Sequence, residues 1–383
     1  MKRTVLSTGL ALILFAASAC RGGGGNTAQP AADTGNINIG VFADFSGGTS
    51  AAGQATKNGA QLAADEINNA GGIGGRKVEL VFEDDRGAAD GAESAASRLL
   101  ASRVRAIVGG TSPGALAAAS KAQQAGVPLV TTSATEPNVT GAGAYVFRVC
   151  VPDSFQGEAM AKYAARNLHA KTAAILSESN SDYSDALARA FEENFTKLGG
   201  QVTQKLNYAP TDADFRTQLT AIRDANAEAL YVPGRYSEVG RVAKQARDLG
   251  VKATLLGGDA WNDPRLFASG TDALDGSYTT GAFSADDPDP QVRRFASDYA
   301  SRYGGAPPAS AALAYDATKL LADAVARAGT TDGARLRDAI AQTSGYKGVT
   351  GALSFNQERN VAKPTVVFKI QGGKFYPVFR GEL

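Results

Sequence analysis

Residues 105–135 read RAIVGGTSPGALAAASKAQQAGVPLVTTSAT, and this stretch decides the fold. Two short apolar runs, Ala106–Val108 and Pro128–Val130, flank a helix of small residues, which is the strand–helix–strand rhythm of a parallel sheet. Ser112 follows the first run and the hydroxyl-rich residues 131–135 follow the second. Ligands of open α/β sheets lie outside the carboxyl ends of the strands, and a helix N-terminus favours an anion. The stretch therefore predicts a cradle for the carboxylate of a small ligand.

The same rhythm extends in both directions along the chain. Strands are predicted at 37–45, 77–85, 106–108, 128–130, 145–149, 172–177, 201–208, 229–233, 254–257 and 277–282. Besides the helix of the opening stretch, helices are predicted at 54–69, 88–102, 155–168, 184–198, 214–225 and 237–249. Alternation on this scale indicates an α/β fold of doubly wound sheets with right-handed crossovers.

The register of the pattern changes after residue 282. Three helices follow one another without intervening strands, at 289–303, 309–328 and 333–343, before two late strands at 352–355 and 364–370. The chain has 383 residues, which suits two cores better than one. The change predicts that the chain returns to complete an earlier lobe.

Residues 1–19 are predicted to be a signal peptide. Lys2 and Arg3 precede a short apolar run, Leu10–Ala17, which is too short to span a bilayer. The following Ala-Ser-Ala-Cys resembles a bacterial lipobox with Cys20 as the lipidated residue, although Ala17 stands where the pattern prefers Leu. Simple secretion after an A-x-A site is the alternative. Residues 20–35 are glycine-rich and predict a flexible tether.

Charge and cysteine content exclude several classes of protein. There are 39 basic and 38 acidic residues, so nothing points to a nucleic-acid partner. Apart from Cys20, Cys150 is the only cysteine, and one thiol cannot form an internal disulfide. Cys150 ends an apolar run and is expected to pack there.

Motifs along almost the whole chain resemble the leucine/isoleucine/valine-binding type of ABC-importer substrate-binding protein, of the periplasmic binding protein type I fold. In order they are DFSG (44–47), NGA (58–60), INNAGGI (67–73), VGGTS (108–112), SATEP (133–137), FRV (147–149), DSFQG (153–157), LGGD (256–259) and AYDA (314–317). Each is weak alone, and their order makes the resemblance specific.

The resemblance implies two Rossmann-like lobes joined by a three-crossing hinge, with the ligand between them. Crossings are expected near Asp153, Ala282 and Ala362. The N-terminal lobe then comprises residues 36–152 plus 282–361, and the C-terminal lobe comprises residues 153–281 plus 362–383. This division agrees with the change of register after residue 282.

The resemblance also implies which residues bind the ligand. Ser112, Ala134 and Thr135 would hold the α-carboxylate of an amino acid, and Asp259 would pair with its ammonium group. Tyr183 and Tyr236 would close over the ligand from the C-terminal lobe.

The chain departs from the family pattern at two places. Ala52 stands where relatives often have a large aromatic residue, so the side-chain pocket is expected to be larger or to be filled by Trp261 or Phe283. Arg86 and Thr111 fall near the positions of a disulfide that some relatives carry.

Two catalytic or metal-binding interpretations compete with ligand capture. Gly110–Gly114 fits the G-x-S-x-G pattern of a hydrolase nucleophile, but a hydrolase needs a base, and the single histidine, His169, is expected to cap a helix or face solvent. The acidic runs 83–85 and 286–289 lack the pattern of a calcium loop. They are expected to be solvated strand ends and turns.

The sequence thus predicts a binding protein rather than an enzyme, without metal or cofactor. The expected ligand is a small amino acid, branched-chain or aliphatic, and the expected partner is an ABC permease of the cytoplasmic membrane. The protein is expected to be a monomeric extracytoplasmic lipoprotein, or a secreted protein if Cys20 is not lipidated. The alternative is a sensor of an amide, a urea-like compound or another small molecule that signals to a membrane receptor.

Overall fold

The computed structural model describes residues 35–269, 272–363 and 365–381. The predicted signal peptide, Cys20 and all of the predicted tether except Gly35 lie outside these residues. In the described part of the chain, none of the helices combines the length and the apolar character needed to cross a bilayer.

Fourteen strands are present in the described residues. They are β1 (Ile37–Ala43), β2 (Val78–Asp84), β3 (Ala106–Gly109), β4 (Leu129–Thr131), β5 (Val146–Arg148), β6 (Thr172–Glu178), β7 (Gln201–Tyr208), β8 (Ala229–Tyr231), β9 (Thr254–Gly257), β10 (Tyr278–Gly281), β11 (Tyr346–Gly348), β12 (Gly351–Leu353), β13 (Thr365–Gln371) and β14 (Lys374–Gly381).

Ten α-helices lie between or after these strands in the described residues. They are α1 (Ser50–Asn69), α2 (Ala89–Ala101), α3 (Ser112–Ala125), α4 (Asp153–Arg166), α5 (Asp182–Lys197), α6 (Arg216–Asp224), α7 (Tyr236–Asp248), α8 (Pro290–Tyr303), α9 (Ala309–Ala328) and α10 (Gly333–Ala341). The predicted alternation of strands and helices up to residue 282 is confirmed, with helix ends shifted by a few residues.

The first sheet is wholly parallel and has the strand order β2-β1-β3-β4-β5. The strands β1, β3, β4 and β5 are short apolar runs that are almost wholly buried, as expected where helices cover both sides of a parallel sheet, whereas the edge strand β2 is only partly buried. Val41 pairs with Val108 in register, and both are fully buried. We call this sheet and its helices the N-terminal lobe.

The second sheet has seven strands in the order β14-β13-β10-β9-β8-β6-β7. The strands from β6 to β10 are parallel, whereas β13 and β14 form an antiparallel hairpin that extends the sheet at β10. The strand β14 was not predicted from the sequence. Gly372 and Gly373, both at positive φ, form a tight turn that lets the chain fold straight back from β13 into β14. We call this sheet and its helices the C-terminal lobe.

The chain passes between the two sheets three times. It leaves the first sheet after β5 and enters the second lobe at α4, which packs against α5. It returns after β10 to form α8, α9 and α10, of which α9 packs along α1. It leaves again between β12 and β13. We propose that the lobes are divided at these three passages, with the boundaries predicted from the sequence.

One late strand lies elsewhere than the sequence pattern suggested. The segment predicted as a strand at 352–355 pairs as β12 with β11 in a separate two-stranded hairpin, and neither strand joins a main sheet. The buried carboxylate of Asp316 on α9 accepts hydrogen bonds from the backbone N–H groups of Val349 and Thr350, 2.8 Å each, in the turn of this hairpin. These hydrogen bonds tie the hairpin turn to α9.

Candidate functional site

Two loops of the N-terminal lobe lie side by side at the carboxyl ends of β3 and β4. Thr111 forms a parallel bridge with Ser133, which joins the loop before α3 to the loop after β4. Ser112 begins α3. No side chain caps the first turn of this helix, so the backbone N–H groups of that turn remain available to a ligand. The Ser112 hydroxyl accepts a hydrogen bond from the Glu136 backbone N–H at 3.1 Å. The two loops therefore present N–H and hydroxyl donors to one place, as an anion requires.

The second loop is held in shape by Arg148, which the sequence analysis quoted only as part of a motif. Its fully buried guanidinium donates to the backbone carbonyls of Ala134, Glu136 and Pro137 at 2.6–3.0 Å. It also donates to the Asn360 side chain at 2.7 Å. Because these carbonyls are turned toward Arg148, the loop keeps a defined course through Ala134 and Thr135. Arg148 is a positioning residue.

In the C-terminal lobe, Asp259 and Tyr183 form a hydrogen-bonded pair. The Tyr183 hydroxyl donates to Asp259 Oδ1 at 2.9 Å and accepts from the Ala260 backbone N–H at 3.1 Å. Asp259 follows β9 and Tyr183 lies in the first turn of α5, so both stand at the carboxyl edge of the second sheet. The structure thus brings together two of the residues that the sequence analysis assigned to the C-terminal lobe.

Gln156 fixes the position of this pair relative to the junction of the lobes. Its Oε1 accepts from the Asp259 backbone N–H at 3.1 Å and from the Thr280 hydroxyl at 2.7 Å. Its Nε2 donates to the Val151 carbonyl at 3.1 Å. One amide side chain on α4 therefore connects the first passage between the lobes to the loop that carries Asp259.

Asp153 links the two halves of the site, and the sequence analysis did not assign it a ligand role. It begins α4, and its backbone N–H donates to the Thr135 carbonyl at 3.0 Å. Its side chain is only 1% exposed and has no hydrogen-bond partner for either carboxylate oxygen among the described residues. The signal in the sequence was an acidic residue four positions after the end of the predicted strand 145–149, at the point where a crossing was expected.

The electrostatics of the site reflect two carboxylates held out of water. Burial raises the pKa of Asp153 to about 8, and the negative charge of Asp259 adds to the rise, while Thr135 and Arg148 oppose it. Burial also raises the pKa of Asp259, against the lowering effect of the Tyr183 and Gln156 hydrogen bonds. Such a pair favours a neighbouring cation. The arrangement can therefore bind a group of each sign, an anion at the N-terminal lobe and a cation at Asp153 and Asp259.

Comparisons with known proteins show the family of the chain. The family described as "Periplasmic binding protein" matches residues 36–374. The chain belongs to the periplasmic binding protein family. The Leu/Ile/Val-binding protein BraC3 of Rhizobium johnstonii is 37% identical over 254 residues, which are 65% of this chain and 68% of that protein. Leu/Ile/Val-binding protein homolog 3 of Brucella melitensis is 31% identical over 344 residues, covering 88% of this chain and 92% of the relative.

Solved structures of the family superpose on nearly the whole described fold. The leucine-binding protein LivK of Thermotoga maritima has a TM-score of 0.81 at 34% identity, covering 90% of this chain and 98% of its own. The branched-chain amino acid binding protein LivJ of Streptococcus pneumoniae, solved with isoleucine, has a TM-score of 0.82 at 33% identity, covering 90% and 100%. The resemblance drawn from the motifs and the two-lobed α/β fold of this periplasmic binding protein are both confirmed.

Three residues assigned to the ligand from the resemblance have other surroundings in this periplasmic binding protein. Trp261 is fully buried in the core of the C-terminal lobe, and its indole N–H donates to the Val232 carbonyl at 3.0 Å. Phe283 is 4% exposed in an apolar cluster of the N-terminal lobe, with its ring edge-on to Phe295 at 5.6 Å. Both are packed in apolar clusters here, and their role in filling a side-chain pocket stays a prediction.

Tyr236 is partly exposed at the start of α7, under a guanidinium. The Arg265 guanidinium lies 4.3 Å from the centroid of its ring. This stacking accounts for its placement without a ligand, so its role in closing over a ligand stays a prediction.

The structure also separates the groups that a hydrolase would need. Ser112 begins α3 in the N-terminal lobe, whereas His169 is exposed beyond the end of α4 in the C-terminal lobe. The single histidine of the sequence is therefore not a base for Ser112.

The first acidic run is partly buried rather than fully solvated. Asp44, Asp84 and Asp85 each offer a carboxylate oxygen within 4.8 Å of the others. These side chains accept hydrogen bonds from backbone N–H groups of the loop after β1 and of the turn after β2. Burial raises the pKa of Asp85. The hydrogen bonds of Asp84 and Asp85, together with those of Asp44, hold the loop after β1 and the turn after β2 together and account for these carboxylates.

The second acidic run is not fully solvated either, because Asp287 is buried. Asp287 pairs with Arg380, and Asp286 pairs with Lys374 at 3.2 Å. Both pairs tie the segment before α8 to the edge strand β14.

Proposed function

We propose that this protein captures a small amino acid outside the cytoplasmic membrane and delivers it to an ABC permease. The observation that carries the proposal is the buried carboxylate pair of Asp153 and Asp259 at the junction of the lobes, joined through Thr135 to a loop that offers anion donors. A zwitterion supplies both complementary charges. No bond of the ligand is made or broken in this function.

The α-carboxylate is bound by the N-terminal lobe in this proposal. Its partners are the Ser112 and Thr135 hydroxyls and the backbone N–H groups near Ala134 and at the start of α3. Hydrogen bonds to a charged group contribute about 1.5–3 kcal/mol each. Ala134 contributes through its backbone only, because its side chain is fully buried.

The ammonium group is bound by Asp259 with Asp153, and the Tyr183 hydroxyl orients the first of these carboxylates. Because the two ends of one ligand contact different lobes, the ligand stabilises a closed arrangement of the lobes that a permease can recognise.

The proposed side-chain pocket suits an aliphatic group. Ala52, partly buried in α1, occupies the position where the family often has a large aromatic residue, and Trp261 and Phe283 are packed in apolar clusters. Relatives are named for leucine, isoleucine and valine, and one solved relative holds isoleucine. We infer a branched-chain or other small aliphatic amino acid as the cargo.

We further propose that the mature chain is a monomeric lipoprotein anchored through Cys20. The lipobox-like Ala-Ser-Ala-Cys and the glycine-rich residues after it support the anchor. Incorporation of labelled palmitate, abolished in Cys20→Ala, tests it.

A ligand panel measured by thermal denaturation tests the proposed function. L-Leucine, L-isoleucine or L-valine at one hundred times its Kd adds about 2.7 kcal/mol to the free energy of unfolding and raises Tm. 4-Methyl-2-oxopentanoate lacks the ammonium group and 3-methylbutylamine lacks the carboxylate, so neither should raise Tm at the same concentration. Equal stabilisation by either analogue would contradict the zwitterion site.

A further inference from the structure

Asp153 is a buried acid whose carboxylate is not paired with a cation. It is 1% exposed, and within the part of the chain that the structure describes no hydrogen bond of standard geometry reaches either of its oxygens, although the nearby Thr135 hydroxyl lowers its pKa. Its backbone is fixed, because its N–H is bonded to the Thr135 carbonyl in the N-terminal lobe and it begins α4 in the C-terminal lobe. The side chain therefore cannot turn to solvent without a change in the lobe junction.

Charged and titratable groups face Asp153 from every element packed around it. The N-terminal lobe contributes Arg148 on β5 and Glu136 on the loop after β4, and the first passage contributes Cys150. The C-terminal lobe contributes Asp259 after β9, Tyr183 on α5 and Tyr231 on β8. Tyr231 is fully buried and its hydroxyl has no hydrogen-bond partner among the described residues either.

Arg148, the cation in this set, is committed elsewhere. Its three side-chain nitrogens bond to three backbone carbonyls and to the Asn360 side chain. It lowers the pKa of Asp153, but it makes no ion pair with that carboxylate. Arg235 lowers the pKa of Asp259, but its guanidinium lies over the Tyr183 ring and 4.0 Å from Glu178. Among the described residues, neither of the two buried carboxylates therefore forms an ion pair.

Two such carboxylates cannot both be ionised at low cost. Removing a carboxylate from water is unfavourable, and a second negative charge nearby adds to the cost. In a ligand-free cleft, the state of lowest free energy is the one in which one of the two carboxyl groups holds a proton. The two groups then titrate as a coupled pair. Burial and the charge of Asp259 raise the pKa of Asp153 to about 8, so the proton is present at neutral pH.

We propose that the ammonium group of the incoming amino acid displaces a proton held by the buried Asp153 carboxyl near Asp259, so that ligand uptake releases about one proton per chain. The carboxyl O–H bond of the protonated acid breaks, the proton passes to the buffer, and the carboxylate left behind pairs with the ammonium. This inference rests on the proposed function, because it requires a ligand that carries an ammonium group.

The displacement makes affinity depend on pH. Between about pH 7 and pH 5.5 the cleft holds the proton and the amino acid must remove it, so the Kd for L-leucine should rise about tenfold for each pH unit lost. The ionisation of free leucine does not change in this range. The change of Kd with pH in this range therefore arises from titratable groups of the protein.

Calorimetry of L-leucine binding at pH 6.5, repeated in buffers of different ionisation enthalpy, measures the protons released. We expect about one proton per bound ligand for the unmodified chain. Asp153→Asn should bind leucine more weakly, because it lacks one of the two carboxylates that face the ammonium, and it should release close to no protons, with a flat pH profile of Kd. Asp263→Asn makes the same charge change on a carboxylate already paired with Arg265. This control variant should still release about one proton per bound ligand and show the same pH dependence of Kd as the unmodified chain.

The outcomes separate this inference from the proposed function. Absence of leucine, isoleucine and valine binding would refute the function itself. Binding by the unmodified chain without proton release would overturn the inference and leave the function standing, and this measurement does not depend on any variant folding. Full proton release by Asp153→Asn would overturn the role of Asp153.

Discussion

Asp259 is oriented before a ligand arrives. Its carboxylate accepts from the Tyr183 hydroxyl, and its backbone N–H donates to Gln156. Side chains fixed in this way lose less conformational freedom when a ligand binds, which benefits affinity. The charge of Asp259 is then available to an ammonium group without rearrangement.

Replacing Asp259 by Asn is therefore expected to weaken amino-acid binding more than tenfold. The substitution keeps the shape and the Tyr183 contact but removes the charge that pairs with the ammonium group. Isothermal titration with L-leucine measures the change. Asp263→Asn, four residues further along the same loop, should bind within about twofold of the unmodified chain. An unchanged Kd in Asp259→Asn would show that Asp259 does not contact the ammonium.

At the scale of elements, the N-terminal lobe depends on the close approach of α1 and α9. Gly59 lies where a Cβ atom would come 2.0 Å from the Ala311 backbone carbonyl oxygen. Backbone atoms cannot move aside as a flexible side chain can. The absence of a side chain at this position sets the distance between two long helices, and α9 also carries Asp316, which holds the β11–β12 hairpin.

Gly59→Ala should lower the free energy of unfolding by about 1–3 kcal/mol, although alanine favours a helix over glycine. The loss arises because α1 and α9 must separate. Urea denaturation measures it. Gly141→Ala is the control, because nothing lies within 4 Å of its Cβ position, and it should change stability by no more than about 0.5 kcal/mol. Equal effects of the two substitutions would argue against the helix contact as the cause.

At the scale of the whole molecule, the passages between the lobes carry titratable groups whose pKa values are shifted by burial. Asp153 lies at the end of the first passage. Lys363 lies in the third, where its ammonium donates to the Thr350 hydroxyl at 3.0 Å, and this hydroxyl donates to Asp316 at 2.6 Å. Burial lowers the pKa of Lys363 to about 8. Motion of one lobe against the other therefore changes the surroundings of charged groups.

The ligand-free protein should be destabilised at alkaline pH by Asp153. Its pKa is about 8 in the folded state and about 3.9 when unfolded, so between these values the folded state alone keeps the proton. Stability from this group is present at acidic pH and is lost as the pH rises toward 8. Asp153→Asn cannot titrate and should lack this loss.

Urea denaturation of both proteins between pH 5 and pH 8 checks the sign. The stability of Asp153→Asn relative to the unmodified chain should increase with pH, by at least about 1.4 kcal/mol over this range, which corresponds to one pKa unit. Parallel curves would mean that Asp153 is ionised in the folded protein throughout.

The amino-acid sequence by itself determined the alternating α/β class, most element positions, the change of register after residue 282 and the family. These features depend on local periodicity and on short motifs, which neighbouring residues encode. It also led to Ser112 and Thr135, because polar residues that follow strands in this fold gather at one edge, whereas Asp259 and Tyr183 were implied by the resemblance to the family.

Only the tertiary structure showed which of the candidates lie together. Trp261 and Phe283 are aromatic residues near motif positions, and nothing local distinguishes a cleft residue from a core residue; the packing around each one decides. The roles of Asp153 and Arg148 were not predicted, because they too depend on packing that the local sequence does not encode. The importance of Asp153 comes from the absence of a partner and that of Arg148 from carbonyls on another segment, and both depend on contacts between parts of the chain that are distant in sequence.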